Sequence, residues 1–232
     1  MKPLLFTLLC WVGLVGSSPL WADVHNYELD IKAGPEWIHD FAFYRKNPPQ
    51  IVIWLEDTEG HYVKTLYATD KIASQSWLFS GGNRRVEALP TWMFKRNKAD
   101  EKGILLPSKK EPLPDAVTGA TPKSDLAVDF SIPEDLKSFT IFVEVNHSTD
   151  WNHYWPKDAH EGDKNYSGGH LGSGQPSLVY STTVDTNSHT DTKLKIIGHG
   201  SPDGTSGSID SDITTLTTAL HIVSEIVLHN RS

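Results

Sequence analysis

Apolar and polar residues alternate along several short stretches of the chain, which is the pattern of half-buried β-strands. On this pattern, strands are predicted over residues 27–31, 50–56, 61–68, 127–132, 138–146, 177–184, 194–197 and 225–229. Turn residues at Asp57–Gly60 join two of these segments and predict a β-hairpin. Because Gly, Asp and Pro separate the strands and helices do not alternate regularly with them, the sequence predicts an all-β antiparallel sandwich with long loops.

The same pattern gives expectations for the helices, the long loops and the core. Apolar residues at helical spacing predict a short helix within 84–96, although Pro90 counts against it, and a helical turn is expected within 214–223. The charged, proline-containing segment 95–114 predicts an exposed loop. Core positions are expected at Ile51, Ile53, Phe142 and Val179. Trp54 and Tyr180 are left open, because a register slip of one residue sends a side chain to the other face.

The N-terminus has the pattern of a secretory signal peptide. Lys2 precedes an apolar run from Leu4 to Gly16, and Ala22 provides a small residue for cleavage before Asp23. The apolar run is shorter than the roughly 20 residues of a spanning helix, which favours cleavage over a membrane anchor. The sequence therefore predicts a signal peptide over 1–22, a single domain over 23–232, a periplasmic location and no stable membrane insertion after cleavage.

Composition narrows the chemistry of the exported protein. The only cysteine, Cys10, lies within the predicted signal peptide, so thiol, disulfide and cysteine-ligated cofactor chemistry is not expected after cleavage. The net charge is −8 and basic residues are not clustered, which argues against a nucleic-acid partner. The sequence has no Gly-x-Ser-x-Gly nucleophile motif, so no catalytic residue is assigned.

Residues Asp115 to Thr121 read Asp-Ala-Val-Thr-Gly-Ala-Thr. They resemble the Asp-x-x-Ser/Thr-Gly-Ala-Ser/Thr site at which bacterial flavin transferases attach flavin mononucleotide (FMN) to a threonine. The resemblance implies that Thr121 is the acceptor and that Asp115 assists recognition by the transferase. Thr118, Gly119 and Ala120 would shape a small, open turn. The alternative interpretation is an ordinary β-turn between two strands.

A wider likeness covers most of the chain after residue 22. The residues that carry it are Trp54–Asp57, Gly60, Val63–Leu66, Asp115–Thr121, Val143–Asn146, Asp150, Asn152, Gly174–Tyr180, Gly198–Gly200 and Leu216–Ala219. They resemble a bacterial predicted-periplasmic family known as domain of unknown function 2271. The resemblance implies an immunoglobulin/fibronectin-like β-sandwich and export. Members of the family resemble proteins found beside flavin transferase genes.

Histidines, carboxylates and aromatic residues crowd one region, at His147, Asp150, Trp151, His153, Tyr154, Trp155, Asp158, His160, Asp163, Tyr166 and His170. Imidazoles and carboxylates are ligands for Zn²⁺ or Cu²⁺, but their irregular spacing favours a solvated loop over a metal site. The aromatic residues either cap the sandwich core or stack on a flat ligand such as a flavin or a sugar ring. His199, in the glycine-rich segment 198–207, is expected to bond to backbone.

These observations favour a periplasmic electron-transfer flavoprotein that carries FMN covalently on Thr121. Its expected partners are a flavin transferase and membrane or periplasmic redox proteins. On its own the protein would be an electron carrier and not an enzyme. The alternative is a non-catalytic binding module whose loop from His147 to His170 holds a sugar, a peptide or a partner protein.

Overall fold

The computed structural model describes residues 24–41, 45–75, 84–108, 110, 111, 113 and 116–232. The predicted signal peptide, its cleavage site and Asp115 lie outside the described residues. Within the described ranges, no helix is both long and apolar enough to cross a membrane.

The chain forms two packed β-sheets, which confirms the all-β sandwich. The strands are β1 Val24–Ala33, β2 His39–Phe41, β3 Arg45–Asn47, β4 Gln50–Glu56, β5 Tyr62–Thr69, β6 Val117–Gly119, β7 Leu126–Pro133, β8 Ser138–Asn146, β9 Leu178–Asp185, β10 Thr192–Lys193, β11 Lys195–His199 and β12 Val223–Asn230. One sheet has the order β10-β12-β1-β7, the other has the order β11-β9-β8-β4-β5-β6, and β2 and β3 form a separate hairpin. The named pairs are antiparallel except β5 with β6, which is parallel.

The main core lies between the two sheets. Strand β8 shows why: Phe139, Ile141, Val143 and Val145 alternate along it and are fully or almost fully buried. They face apolar residues of β1, β7 and β12 in the four-stranded sheet. The predicted core residues Ile51 and Ile53 belong to this layer, and Tyr180 joins them.

A second core covers the outer face of the six-stranded sheet. Val52, Trp54 and Val179 point to this face, where Trp92 of a short helix packs on them. Phe142 stacks on Trp54 at 4.9 Å between ring centroids and is half-buried. Strand β4 is therefore buried on both faces along its whole length, which is why it is apolar without interruption from Ile51 to Leu55.

Two short helices and a loop form this outer layer. Helix α1 spans Asp70–Ser74 and helix α2 spans Pro90–Arg96. Pro90 is the first residue of α2, where its missing N–H would be unpaired in any case, so it starts the predicted helix and does not interrupt it. The prediction of an exposed loop over 95–114 is wrong in part, because Leu106 and Leu113 are buried in the second core.

Many of the long connections meet at one end of the sandwich. Pairing places Gln50 opposite Asn146, Thr69 opposite Gly119, and Leu178 opposite His199, so these strand termini lie at the same end of the six-stranded sheet. Two hydrogen bonds join this end to the segment after β1. His147 donates to the Glu36 carbonyl, and Trp37 donates to the Pro122 carbonyl. We call this region the loop end; it comprises segments 34–38, 120–125, 147–177 and 200–222.

Candidate functional site

The segment that resembles a flavin acceptor forms the outermost strand of the six-stranded sheet. Val117, Thr118 and Gly119 pair in parallel with Tyr67, Ala68 and Thr69 of β5. No other strand in the described part of the chain pairs with the outer side of β6. The expected turn is thus a short edge strand with no strand partner on its outer side among the described residues.

Gly119 lies directly over a buried aromatic ring. A Cβ at this position would be 3.2 Å from both the hydroxyl and a ring carbon of Tyr67. Burial raises the pKa of Tyr67 to about 12, so this phenol stays neutral. A side chain at this position would require the Tyr67 ring to shift by a few tenths of an ångström, so glycine favours close packing of β6 on β5, in addition to any role in access to the neighbouring threonines.

The two threonines of the motif differ in exposure. Thr118 and Ala120 are exposed, whereas Thr121 is partly buried. Neither threonine hydroxyl makes a hydrogen bond to any described residue. Just beyond them, the buried Trp37 donates its indole N–H to the carbonyl of Pro122 at 3.0 Å, which fixes the end of the segment to the loop end.

The histidine-rich region divides into buried and exposed parts. His153, His160 and His170 are exposed, in line with a solvated loop, but His147 and Asp150 are 2% exposed. The Nε2–H of His147 donates to the Glu36 carbonyl at 2.9 Å, and burial lowers the pKa of this imidazole to about 4. The expectation of a solvated loop is therefore wrong for these two residues.

Asp150 is buried and closely packed against Gly174. Its Oδ1 accepts a hydrogen bond from Thr218 at 2.6 Å, its Oδ2 has no partner in the described chain, and burial raises the pKa of its carboxyl. The preceding Thr149 has a positive φ of 61°, and a Cβ on Gly174 would meet the Asp150 carbonyl at 2.4 Å. Among the described residues, no group of three His, Cys, Asp or Glu side chains is arranged to hold a metal ion.

A buried charge network, which the sequence pattern did not reveal, supports the loop end. Arg85 donates to Glu87 at 2.8 Å and to Ser173 at 3.0 Å, and it also bonds Ser148. Both charged side chains are almost fully buried. The network joins the segment before α2 to the two ends of the 147–177 loop, so its role is to hold that loop in place.

Another buried carboxylate lies under helix α2. Glu144 on β8 accepts hydrogen bonds from the backbone N–H of Thr91 and Trp92 and from the Ser177 hydroxyl, at 3.2, 2.9 and 2.6 Å. Leu89, the residue before the helix, provides no side-chain cap, so Glu144 satisfies these helix donors from another strand. Burial is the main reason that the pKa of Glu144 rises to about 7.

A pocket of about 310 Å³ opens at the loop end beside β11. It lies between the aromatic part of the 147–177 loop and the glycine-rich segment after His199, two segments that are far apart in the sequence. Tyr154 and Trp155 form one part of its wall, with ring centroids 5.1 Å apart. His199 also lines the pocket. Its Nδ1 donates to the Gly200 carbonyl at 2.8 Å, which confirms the prediction that this residue bonds to backbone.

The segment that resembles a flavin acceptor and the pocket lie at opposite lateral edges of the six-stranded sheet. Strand β6 is at one edge and β11 at the other, with four strands between them. At about 4.8 Å per strand spacing, the two strands are on the order of 24 Å apart. The two features are separate candidate sites.

Comparison of the chain with protein-family models, curated proteins and solved structures found no match.

Proposed function

We propose that the protein is an electron carrier of the bacterial periplasm that holds FMN covalently on Thr121. The observation that carries this proposal is that the Thr121 hydroxyl makes no hydrogen bond to a described residue. Thr121 is partly exposed and follows Thr118-Gly119-Ala120 at the β6 edge of the six-stranded sheet. A hydroxyl already engaged in a buried hydrogen bond would have to break that bond before modification.

The acceptor step uses the threonine oxygen as the nucleophile. Thr121 Oγ1 attacks the flavin-side phosphorus of flavin adenine dinucleotide held by the transferase, and a phosphodiester bond forms. The pyrophosphate bond breaks, adenosine monophosphate leaves, and the hydroxyl proton is released to a base of the transferase. This protein contributes the acceptor and its presentation, and the bound flavin supplies the redox chemistry.

Several features of the segment suit modification by a second protein. No described strand pairs with the outer side of β6, which would let an enzyme bind the segment as an extended strand. The exposed Thr118 and Ala120 leave the surface beside Thr121 uncrowded. The Trp37 bond to Pro122 holds the far side of the segment in place, which limits the entropy lost when the transferase binds.

The test is co-expression with a flavin transferase, followed by intact-mass analysis. The wild-type protein should gain the mass of one FMN less water and stay yellow after denaturation. Thr121→Ala should gain nothing, whereas Thr121→Ser, which keeps a hydroxyl, should still be labelled. The matched control is Thr118→Ala, which removes the neighbouring hydroxyl and should reduce labelling without abolishing it.

An unmodified wild-type protein, under conditions in which a known acceptor is labelled, would refute the proposal. Label that persists in Thr121→Ala and disappears in Thr118→Ala would move the acceptor to Thr118. If the protein is unmodified, the alternative of a non-catalytic binding module takes its place.

A further inference from the structure

The pocket beside β11 combines an aromatic wall with polar groups that have unused hydrogen-bonding capacity. Tyr154 is half-buried and Trp155 is 3% exposed, and the indole N–H of Trp155 is already bonded to Thr215. Tyr154 is therefore the aromatic ring that offers surface to a ligand. Its hydroxyl makes no hydrogen bond to a described residue.

Two carboxylates contribute acceptors to the wall. Asp210 accepts the backbone N–H of Asp212 at 2.9 Å, and Asp212 accepts the backbone N–H and the hydroxyl of Thr214 at 3.0 and 2.6 Å. Each carboxylate uses only its Oδ1 in these bonds. The Oδ2 of each makes no hydrogen bond within the described ranges, so both are available to a ligand.

A donor, Lys164, and a further acceptor, Nε2 of His199, lie at the same wall. The ammonium of Lys164 is 5.6 Å from the ring centroid of Tyr154 and forms no ion pair with a described residue. Because His199 donates from Nδ1 to the Gly200 carbonyl, its Nε2 is the nitrogen left for a ligand. The ammonium of Lys164 offsets one of the two carboxylate charges, which disfavours a strongly anionic ligand.

We propose that this pocket binds a single sugar ring. A sugar hydroxyl both donates and accepts hydrogen bonds, and so fits a wall that presents carboxylate oxygens beside an ammonium and a phenol. The apolar C–H face of the ring would pack on Tyr154, as ligands in such pockets pack on aromatic side chains. A volume of about 310 Å³ is at the lower end of the range for ligand pockets, which suits one ring.

The test is binding of D-glucose, D-galactose, D-mannose and N-acetyl-D-glucosamine to the purified protein, measured by saturation-transfer difference NMR and calorimetry. At least one of these sugars should bind with a dissociation constant in the millimolar range or tighter. Tyr154→Ala and Asp210→Asn should each weaken that binding about tenfold or more, equivalent to about 1.4 kcal/mol. Asp129→Asn removes an exposed carboxylate on β7 and should leave binding unchanged.

Further variants keep the test decisive if a substitution prevents folding. Tyr154→Phe removes only the hydroxyl, and Lys164→Gln alters an exposed side chain, so both should fold and bind more weakly. Thr121→Ala should bind the sugar as wild type does, which separates this result from the flavin proposal. Binding of none of the four sugars up to about 50 mM would overturn the inference, since interactions that weak amount to less than about 2 kcal/mol. Equal binding by wild type and Tyr154→Ala would also overturn it, as would binding of acetate or glycine betaine in place of every sugar.

Discussion

The buried carboxylate of Glu144 should make the stability of the protein depend on pH, and Glu144→Gln should remove that dependence. Glutamine has nearly the same shape and keeps an oxygen for the backbone N–H groups at the start of α2, but it does not ionise. Its amide will fit the Ser177 hydroxyl and the Thr91 N–H less well than a carboxylate does. That mismatch adds a cost of about 1 kcal/mol that does not vary with pH.

The magnitude follows from the pKa of Glu144, which rises from 4.5 to about 7 on burial. Between these two values the folded protein keeps a proton that the unfolded chain releases, so the free energy of unfolding falls as the pH rises. Each pH unit in this window contributes about 1.4 kcal/mol, and the whole window about 3 kcal/mol. The contribution is fully present below the unfolded pKa and is lost once the pH exceeds the folded pKa.

The assay is urea unfolding of wild type and Glu144→Gln at about pH 5 and about pH 8, where their difference in unfolding free energy should change by about 2–3 kcal/mol. Glu144→Gln should gain that much relative to wild type at the higher pH. Thr183→Ser, a neutral change at an exposed site on β9, is the control, and its difference from wild type should not vary with pH. A change below about 0.5 kcal/mol for Glu144→Gln would refute the reasoning, because the carboxylate would then be as well stabilised in the folded protein as in water.

Two further substitutions probe the loop end. Gly174→Ala should destabilise the protein by roughly 3 kcal/mol or more, because the new Cβ would meet the Asp150 backbone. The control is Gly103→Ala, at a similar positive φ but with open space around the Cβ, which should cost only about 1 kcal/mol. Urea unfolding of both variants measures the difference. Arg85→Met should destabilise by about 3–5 kcal/mol, because it leaves the buried Glu87 carboxylate without its guanidinium, and a loss of less than about 1 kcal/mol in thermal unfolding would contradict that view.

The local strand pattern was sufficient to predict most of the strands. Alternation within a strand reflects the two faces of its own backbone, and this information is contained in a few consecutive residues. The segment 50–56 was predicted as a strand on these grounds, and β4 has the same bounds. Its uninterrupted apolar run also reflects a second buried face, but the sequence could not identify the layer of α2 that covers it.

The errors have a common cause. The charged residues early in segment 95–114 predicted an exposed loop, although Leu106 and Leu113 of that segment are buried against the outer face of the sheet. The motif before Pro122 has ordinary turn chemistry, yet Val117–Gly119 pairs with β5, which lies about fifty residues earlier in the chain. In both cases a distant part of the fold supplies the contact that decides the structure.

The candidate sites differ in how far the sequence reaches. Thr121 was proposed as the acceptor from seven consecutive residues, because an enzyme that modifies a short segment would read local sequence. The sequence also predicted that Tyr154 and Trp155 either cap the core or stack on a flat ligand. It did not show that these residues line one pocket with His199, Asp210 and Asp212.

The sequence by itself thus determined the all-β class and most strand positions and suggested the proposed acceptor motif, since each depends on the order of neighbouring residues. Only the tertiary structure decided which strand is the free edge, which carboxylates are buried and where the pocket lies. Burial and convergence of side chains are properties of segments far apart in the chain, and they are set by packing between the two sheets and the outer layer.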